Sequence, residues 1–589
     1  MRPPALTKCA LFVISALLPL YGAPVPACDA AARTFLPCEL SFPPAVHAGA
    51  ASSPFANDLL RVEFRSPAHK TYLMHAFFDG SFRVRFSPTE PGTWTYRVLS
   101  DIQEYNDKET TFNVADSGLP GMVDVANLRH WRTTNKQPHL WLAAEAPFLS
   151  VGQPAWEAWL DARKHDGFTH VRGVVLTNDG STKPFSANDN LPQPAYFSAL
   201  DDRVLAAASR GFTLDLVLAD RSATPLLQAN FEQLEAVTRY VAARYGGLNV
   251  TWQSLEYFED TPGARELLKN IGMLIAKYDG FAHPRSTGAH NSTFPLLSDG
   301  WLNYGMEGSP DPQLGAVEHQ FTELPEIHLV HASEPDAFRR ELWNATTNGE
   351  YPSIPYEASK NEADMRAIRT WTHVIAGTRH WELEPYFGVD GARAIGLNEV
   401  EYLAYAAQPG VIEITLPKHK YNPVWVNPAT GEELELKDYK GQVFGQQTPG
   451  NRQDWILAVP REGKKANMLK YYYFESESAP VQEIETEPSR TPFQITDPAG
   501  DSLSASLPTP YGIKITRANR ASRHMQYVWW GEGVAGGEGA RLLGLGASGS
   551  FSIPPALLNQ SASTLNVRLL AINANGKAYE VDRVYQITQ

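Results

Sequence analysis

Residues 212–260, FTLDLVLADRSATPLLQANFEQLEAVTRYVAARYGGLNVTWQSLEYFED, hold an apolar run, an amphipathic run and a second apolar run that ends in Glu256, Glu259 and Asp260 beside two large rings. FTLDLVLAD and NVTWQSL have the short, bounded, apolar character of strands buried on both faces. Between them, FEQLEAVTRYVAARY spaces its apolar side chains three and four residues apart, as one face of a helix requires, and a Gly-Gly pair stops it. A strand, a helix and a strand in this order predict a parallel βα unit whose sheet is covered by helices. The same rhythm precedes it in HLWLAAEAPFL, WEAWLDARKHDG, FTHVRGVVL and DDRVLAAASRG. It continues in ARELLKNIGMLIAKYDG, PRSTGAHNST, GWLNYGME, a helix around 335–343, PSIPYEAS, DMRAIRTWTHVIAG and RHWELEPYF. Counting GWLNYGME as the sixth strand, PSIPYE as the seventh and RHWELEPYF as the eighth gives a (β/α)8 barrel.

The flanks read differently. RVEFRSP, TYLMHAFFDG, SFRVRFSPT and GTWTYRVLSD alternate apolar and polar side chains between turn residues, as in a small sandwich. Strand patterns return from Glu399 in VEYLAYAAQPG, VIEITLP, NPVWVNPATGEEL and QDWILAVPR, and again beyond about 491. The expected chain is multidomain, a central TIM barrel flanked by N-terminal and C-terminal β-sandwich domains. Its expected parts are a signal peptide (1–27), an immunoglobulin-like sandwich (28–118), the barrel (119–395), a sandwich (396–478), a linker or edge (479–490) and a further all-β domain (491–589).

The first 27 residues have basic Arg2 and Lys8, an apolar stretch and a small-residue exit at Ala27, the pattern of a secretory signal. A secreted or periplasmic location follows, and no later stretch is apolar enough to span a membrane. Beyond the leader stand Cys28 and Cys38, read as a small disulfide loop; the rival reading makes Cys28 a lipid anchor. With 51 basic and 65 acidic residues the formal charge is -14, which disfavours nucleic acid as a partner. The glycine-rich stretch 531–549 lacks a phosphate-loop pattern, and there is no nucleophile elbow or dinucleotide fingerprint.

Chemistry in such a barrel gathers where strands end. Glu256 ends the fourth strand and Glu357 follows the segment counted as the seventh, so their carboxylates are expected to flank a small substrate. Two carboxyl groups split a glycosidic bond when one donates a proton to the leaving oxygen and the other attacks carbon or activates water. Glu259 is the alternative acid. Glu145 ends the first strand, to bind a sugar hydroxyl or to hold Arg172. Asn178 and Asp179 form either a sugar contact or a turn. His290 and Asn291 are placed as sugar contacts, Trp301 and Trp141 as stacking platforms or barrel closure, and Arg379 as a cation beside Trp381. Four histidines, His283, His290, His328 and His331, are available to a metal, and His328 and His331 have i,i+3 spacing. No HExxH accompanies them and Glu326 and Glu334 have no special relation to the pair, so neither a metal nor a cofactor is expected.

The barrel segment resembles the DUF4038, or apiosidase-like, family of glycoside hydrolases. HAFFDGSFRVRFSPTEPGTWTYRVLS is similar to the DUF5060 module that precedes such barrels. EVEYLAYAAQPGVIEITLP through NPVWVNPATG is similar to a β-domain of the collagen-binding type that follows them. The resemblance implies a retaining glycosidase acting on a polysaccharide or oligosaccharide, with Glu256 as acid/base and Glu357, in Pro355-Tyr356-Glu357, as nucleophile. It implies Tyr304 as a hydrogen-bond partner of that nucleophile and Trp381 as a sugar platform. One departure is Leu255, where related enzymes have Asn before the acid; Asn291 or Asn178 would then take its contact, or Glu259 would be the acid. A non-catalytic polysaccharide-binding or adhesive surface protein is the competing expectation, because a fold alone does not establish activity.

Overall fold

A computed structural model describes residues 25–44, 55, 57–187, 190–228, 230–309, 311–312, 314–319, 321–450, 453–463, 484–516, 525–533, 541–553, 564–572 and 578–588. The expected leader up to residue 24, the segment 464–483 and residues 534–540 of the glycine-rich stretch lie outside the described residues.

Eight parallel strands form the centre: β1 (Ala143–Glu145), β2 (His170–Leu176), β3 (Thr213–Ala219), β4 (Val250–Leu255), β5 (Arg285–Ser286), β6 (Gly305–Glu307), β7 (Glu326–Leu329) and β8 (Tyr351–Ile354). Ladders run from β5 through β4, β3, β2, β1, β8 and β7 to β6. The seam between β5 and β6 is joined by Asn303 N–H to the Arg285 carbonyl at 2.8 Å and by Ser286 Oγ to the Tyr304 carbonyl at 2.7 Å. Around this sheet lie α1 (Gln153–His165), α2 (Pro194–Ser209), α3 (Phe231–Tyr245), α4 (Ala264–Tyr278), α5 (Leu314–Glu318), α6 (Pro335–Asn348) and α7 (Glu362–Ala376).

The helices cover the sheet because their apolar residues recur on one face; in α4, Leu268, Ile271, Leu274 and Ile275 are all buried. Starts are set by side chains: Asn230 accepts the Gln233 N–H before α3, and Asn361 accepts those of Ala363 and Asp364 before α7. Inside the barrel, the Trp141 ring stacks on His170 at 3.6 Å and lies 4.7 Å from Trp131. Trp131 comes from a hairpin, Val123–Ala126 with His130–Thr133, that plugs the N-terminal end and leaves the C-terminal end as the mouth.

The strand count differs from expectation in one place. The seventh strand is EIHL, residues 326–329, so PSIPYE supplies the eighth and Glu357 follows the eighth. RHWELEPYF is not a barrel strand; its Glu384–Tyr386 pairs with Arg393–Leu397 in the next sheet. The short β7 escaped notice because Glu326 and His328 occupy the positions facing the helices, where an apolar pattern is the usual signal.

The N-terminal sandwich packs a sheet of Cys38–Phe42, Phe82–Phe86 and Phe77–Phe78 on one of Leu60–Arg65, Thr71–His75, Gly92–Ser100 and Glu109–Val114. Val62, Phe64, Val84, Phe86 and Trp94 are its core. A Cys28–Cys38 disulfide ties the short helix Cys28–Ala31 to the first strand and engages the sulfur that lipid anchoring would need. After the barrel, six strands beginning at Glu384–Tyr386 face a sheet of Val389–Asp390, Val411–Tyr421 and Tyr439–Gln447, so this sandwich starts upstream of residue 396. The last module docks its Val528, Trp530 and Leu570 against Phe294 and Leu297 of the barrel, and Arg568 donates to the Pro295 carbonyl at 2.7 Å.

Candidate active site

The mouth is built around Arg172, whose guanidinium is 3% exposed at the inner face of β2. It donates to Glu145 Oε1 at 3.0 Å, to Gln253 Oε1 at 3.1 and 3.2 Å, and to the Glu256 carbonyl at 3.2 Å. Gln253 in turn donates to Asp215 Oδ2 at 2.5 Å, and Asp215 also receives Thr251 and Tyr304 hydroxyls at 2.9 and 3.0 Å. Burial pushes Asp215 up to about 6, against the opposing pull of Arg172 and these donors. A continuous hydrogen-bonded chain therefore runs from the barrel floor through β3 and β4 to Glu145, fixing that carboxylate to a rigid scaffold.

Glu256 stands one residue past β4, and its N–H still pairs with the Ala219 carbonyl at 3.0 Å. It is half-buried, and burial raises its proton affinity; Arg172 opposes the rise, while Glu145, Asp220 and Asp260 add to it. Glu145 and Glu256 thus lie near enough for one charge to act on the other and stand in different environments, one beside a guanidinium and one inclined to keep its proton. The Tyr257 ring stacks on His290 at 4.1 Å with 6° between planes, and His290 Nε2 lies 3.0 Å from Asp260. His331, from the β7 end, lies 6.4 Å from the Tyr257 ring. Aromatic faces, ring nitrogens and carboxylates at one rim make a surface suited to a polyhydroxylated ring.

The acids of EYFED therefore divide. Glu259 is 3% exposed and accepts the N–H groups of His290 and Asn291 at 2.9 and 3.0 Å, a clip between the β4 and β5 loops. Its oxygens are occupied by backbone, which leaves the mouth to Glu256. Asn178 bridges to the Ser222 carbonyl at 3.0 Å and the Asp179 N–H bonds Thr177, so both lie on a rim turn joining the β2 and β3 loops.

Several expected residues stand elsewhere. The Glu357 side chain is 83% exposed and pairs with Lys360 at 2.9 Å. The residue stands past β8 on an αR backbone at the start of a short 3-10 turn, with its side chain to solvent. Tyr304 is fully buried and its hydroxyl serves Asp215. Trp301 is 3% exposed and packs on α4, where a Cβ on Gly272 would come within 2.4 Å of its ring. Trp141 belongs to the floor. α7 descends from the mouth, so Arg379 and Trp381 lie at the opposite face: the Trp381 carbonyl accepts from Asn127 of the plugging hairpin at 2.8 Å, and Arg379 pairs with Glu382. His283 is buried against Asp279 at 3.0 Å. His328 and His331 diverge, one toward the helices and one to the mouth.

Gly288, Gln253 and Asp215 were not anticipated. A Cβ on Gly288 would lie 1.8 Å from the Glu256 carbonyl oxygen and 2.8 Å from Arg172 Nη2, so only glycine admits this crossing of β4 and the β5 loop. The signal for Gln253 was available: a polar residue at an inward position of an otherwise buried strand.

Residues 126–377 match the family model described as "Apiosidase-like, catalytic domain", and residues 32–101 match DUF5060, a domain of unknown function. No curated protein matches the chain. The fold is shared with a candidate glycoside hydrolase from Bacteroides vulgatus ATCC 8482, at 16% identity and a TM-score of 0.63 over 73% of this chain and 99% of that one. A glycoside hydrolase family 5 structure from the same organism aligns at 16% identity and a TM-score of 0.51, over 62% of this chain and 98% of that one. The barrel thus matches an apiosidase-like catalytic domain and stands behind a stretch that matches DUF5060, and these matches support a glycoside hydrolase.

Proposed function

We propose that this protein is exported and hydrolyses glycosidic bonds of a polysaccharide or oligosaccharide at the barrel mouth, with Glu256 as proton donor and Glu145 as the facing anion. The observation that carries the reading is the pairing of a half-buried Glu256 of raised proton affinity with a Glu145 held by Arg172. In the retaining route a Glu145 oxygen bonds the anomeric carbon as the bond to the leaving oxygen breaks, and that oxygen takes the Glu256 proton. Water, deprotonated by Glu256, then cleaves the glycosyl ester and frees Glu145. The expected nucleophile, Glu357, is less well supported, because its solvent-facing side chain is paired with Lys360. The anomeric configuration of the first product, read by proton NMR during hydrolysis, tests the covalent step: retention is expected, and inversion would remove Glu145 from the role of nucleophile.

Two further results are expected. Because burial raises Glu256, and the acid acts only while protonated, the alkaline limb of kcat/KM lies above the ordinary glutamate range near ~4.3. Asp220 is one of the anions that raise it, so Asp220→Asn shifts this limb to lower pH in a pH-rate profile. Gly288→Ala forces the Glu256 backbone and Arg172 apart, and a displacement of this size costs on the order of 100-fold in kcat. Steady-state kinetics alongside a thermal melt separate that loss from unfolding.

A further inference from the structure

Outside the mouth, the layer between β6–β8 and helices α5 and α6 should be apolar, yet it holds five glutamates, Glu307, Glu318, Glu326, Glu341 and Glu350, around His328. We propose that Glu307, His328 and Glu350 form a binding site for one divalent transition-metal ion of the Zn2+ or Mn2+ class, which braces the last three barrel strands.

All three residues are buried, and their candidate ligand atoms lie within 4.8 Å of one another. His328 bridges two carboxylates, Nδ1 meeting Glu307 and Nε2 lying 2.9 Å from Glu341 Oε1; with a proton kept on Nε2 toward Glu341, an ion would take the place of the hydrogen bond between Nδ1 and Glu307. A carboxylate on the far nitrogen is the usual support of a metal-bound imidazole. Glu350 gives the independent sign of an occupant. Its side chain is 0% exposed, and its Oε1 has no hydrogen-bond partner and lies 3.8 Å from His328 Nδ1. Its other oxygen is held by the Asn348 amide at 3.0 Å, which aims the bare one into the cluster. Two more buried oxygens, Glu318 Oε1 and Glu326 Oε2, also lack hydrogen-bond partners; with Glu307 they line a separate small cavity beside the cluster, which neither His328 nor Glu350 borders. Arg129 and Arg393 stand at the edge, committed to the Thr322 carbonyl and the Asn348 side chain.

Ligands bonded tetrahedrally to one ion at ~2.1 Å lie ~3.4 Å from each other, so occupation draws the most widely spaced of the three atoms together by up to roughly 1.4 Å. One imidazole with carboxylates suits Zn2+ or Mn2+ better than Ca2+ or Mg2+, which favour all-oxygen shells. Space for the Glu350 carboxylate depends on Gly315 of α5, where a Cβ would lie 2.4 Å from the carboxyl carbon. The consequence reaches the mouth, because Glu341 also accepts the N–H groups of His331 and Ala332 at 2.9 and 2.7 Å.

The test uses the full-length protein stripped with a chelator, then titrated with ZnCl2, MnCl2, CaCl2 or MgCl2 and followed by metal analysis and thermal melting. One tightly held equivalent of Zn2+ or Mn2+ per chain, with a rise of several degrees in Tm, is expected. Glu350→Gln keeps the shape and removes a buried charge; it should fold, bind the ion at least tenfold more weakly and lose the rise. Absence of any stoichiometric ion or Tm response in the wild type overturns the proposal, and this measurement needs no variant. Binding and stabilisation undiminished in both Glu350→Gln and Gly315→Ala would overturn it too.

Discussion

Glu256→Gln is expected to lower kcat on a natural glycoside by about 10^2 to 10^4-fold, the range that loss of a general acid produces. The substitution is isosteric and leaves the backbone contacts of residue 256 with Ala219 and Arg172 in place. Since burial already disfavours the charged form of Glu256, the neutral amide should fold at least as stably as the wild type. kcat falls on every substrate, because Glu256 also deprotonates the water of the second step, whereas the loss in kcat/KM should follow the leaving group: an aryl glycoside whose leaving group departs without a proton loses far less than a sugar leaving group. A uniform loss in kcat/KM across both substrates would point to misplacement of the mouth, whereas the graded loss is the signature of missing proton donation.

Asp201→Ala is expected to destabilise the union of sandwich and barrel by about 1.5 to 3 kcal/mol, the worth of charge-assisted hydrogen bonds, because Arg85 keeps Glu39 at 2.7 Å and Arg244 keeps Asp79 at 3.3 Å. Asp201, on α2, accepts Arg85 of the sandwich at 3.0 Å and Arg244 of α3 at 2.9 Å, and the two side chains are 1% and 2% exposed. Burial pushes the Asp201 carboxyl up, but Arg85 and Arg244 outweigh it and hold it below the ordinary range. A depressed carboxyl stabilises the fold above its unfolded pKa and loses that contribution as pH falls through the folded value, so this junction weakens in acid. Arg85 also donates to the Arg244 carbonyl at 2.8 Å, and Arg244 lies 4.6 Å from the Phe77 ring, so the network couples both modules. Denaturant unfolding followed by tryptophan fluorescence reads the loss.

What the sequence disclosed depended on whether one physical signal was strong. Helices α3, α4 and α7 and strands β2, β3 and β4 were legible because their apolar spacing is regular over many residues. The position of Glu256 followed from that, since a strand end is where a barrel aims its chemistry. β7 is four residues long and sets Glu326 and His328 toward the helices, so it carries no apolar stripe. Missing it moved the strand count by one, and the error passed to Glu357, which was assigned to the wrong strand. Arg379 and Trp381 were misplaced for the same reason, because a segment read as a strand rising to the mouth in fact lies beside the floor. Glu145 was seen only as a substrate or Arg172 contact, because the Asp215–Gln253–Arg172 chain that orients it joins residues up to 81 apart and has no local pattern.

The central claim, that Glu145 rather than Glu357 faces Glu256, is tested most directly by kcat of Glu145→Gln and Glu357→Gln measured on one substrate found by reducing-sugar release across a polysaccharide panel. Glu145→Gln is expected to lose at least about 10^3-fold while Glu357→Gln stays within a few-fold of wild type. Near-complete loss in Glu357→Gln with activity retained in Glu145→Gln would contradict it.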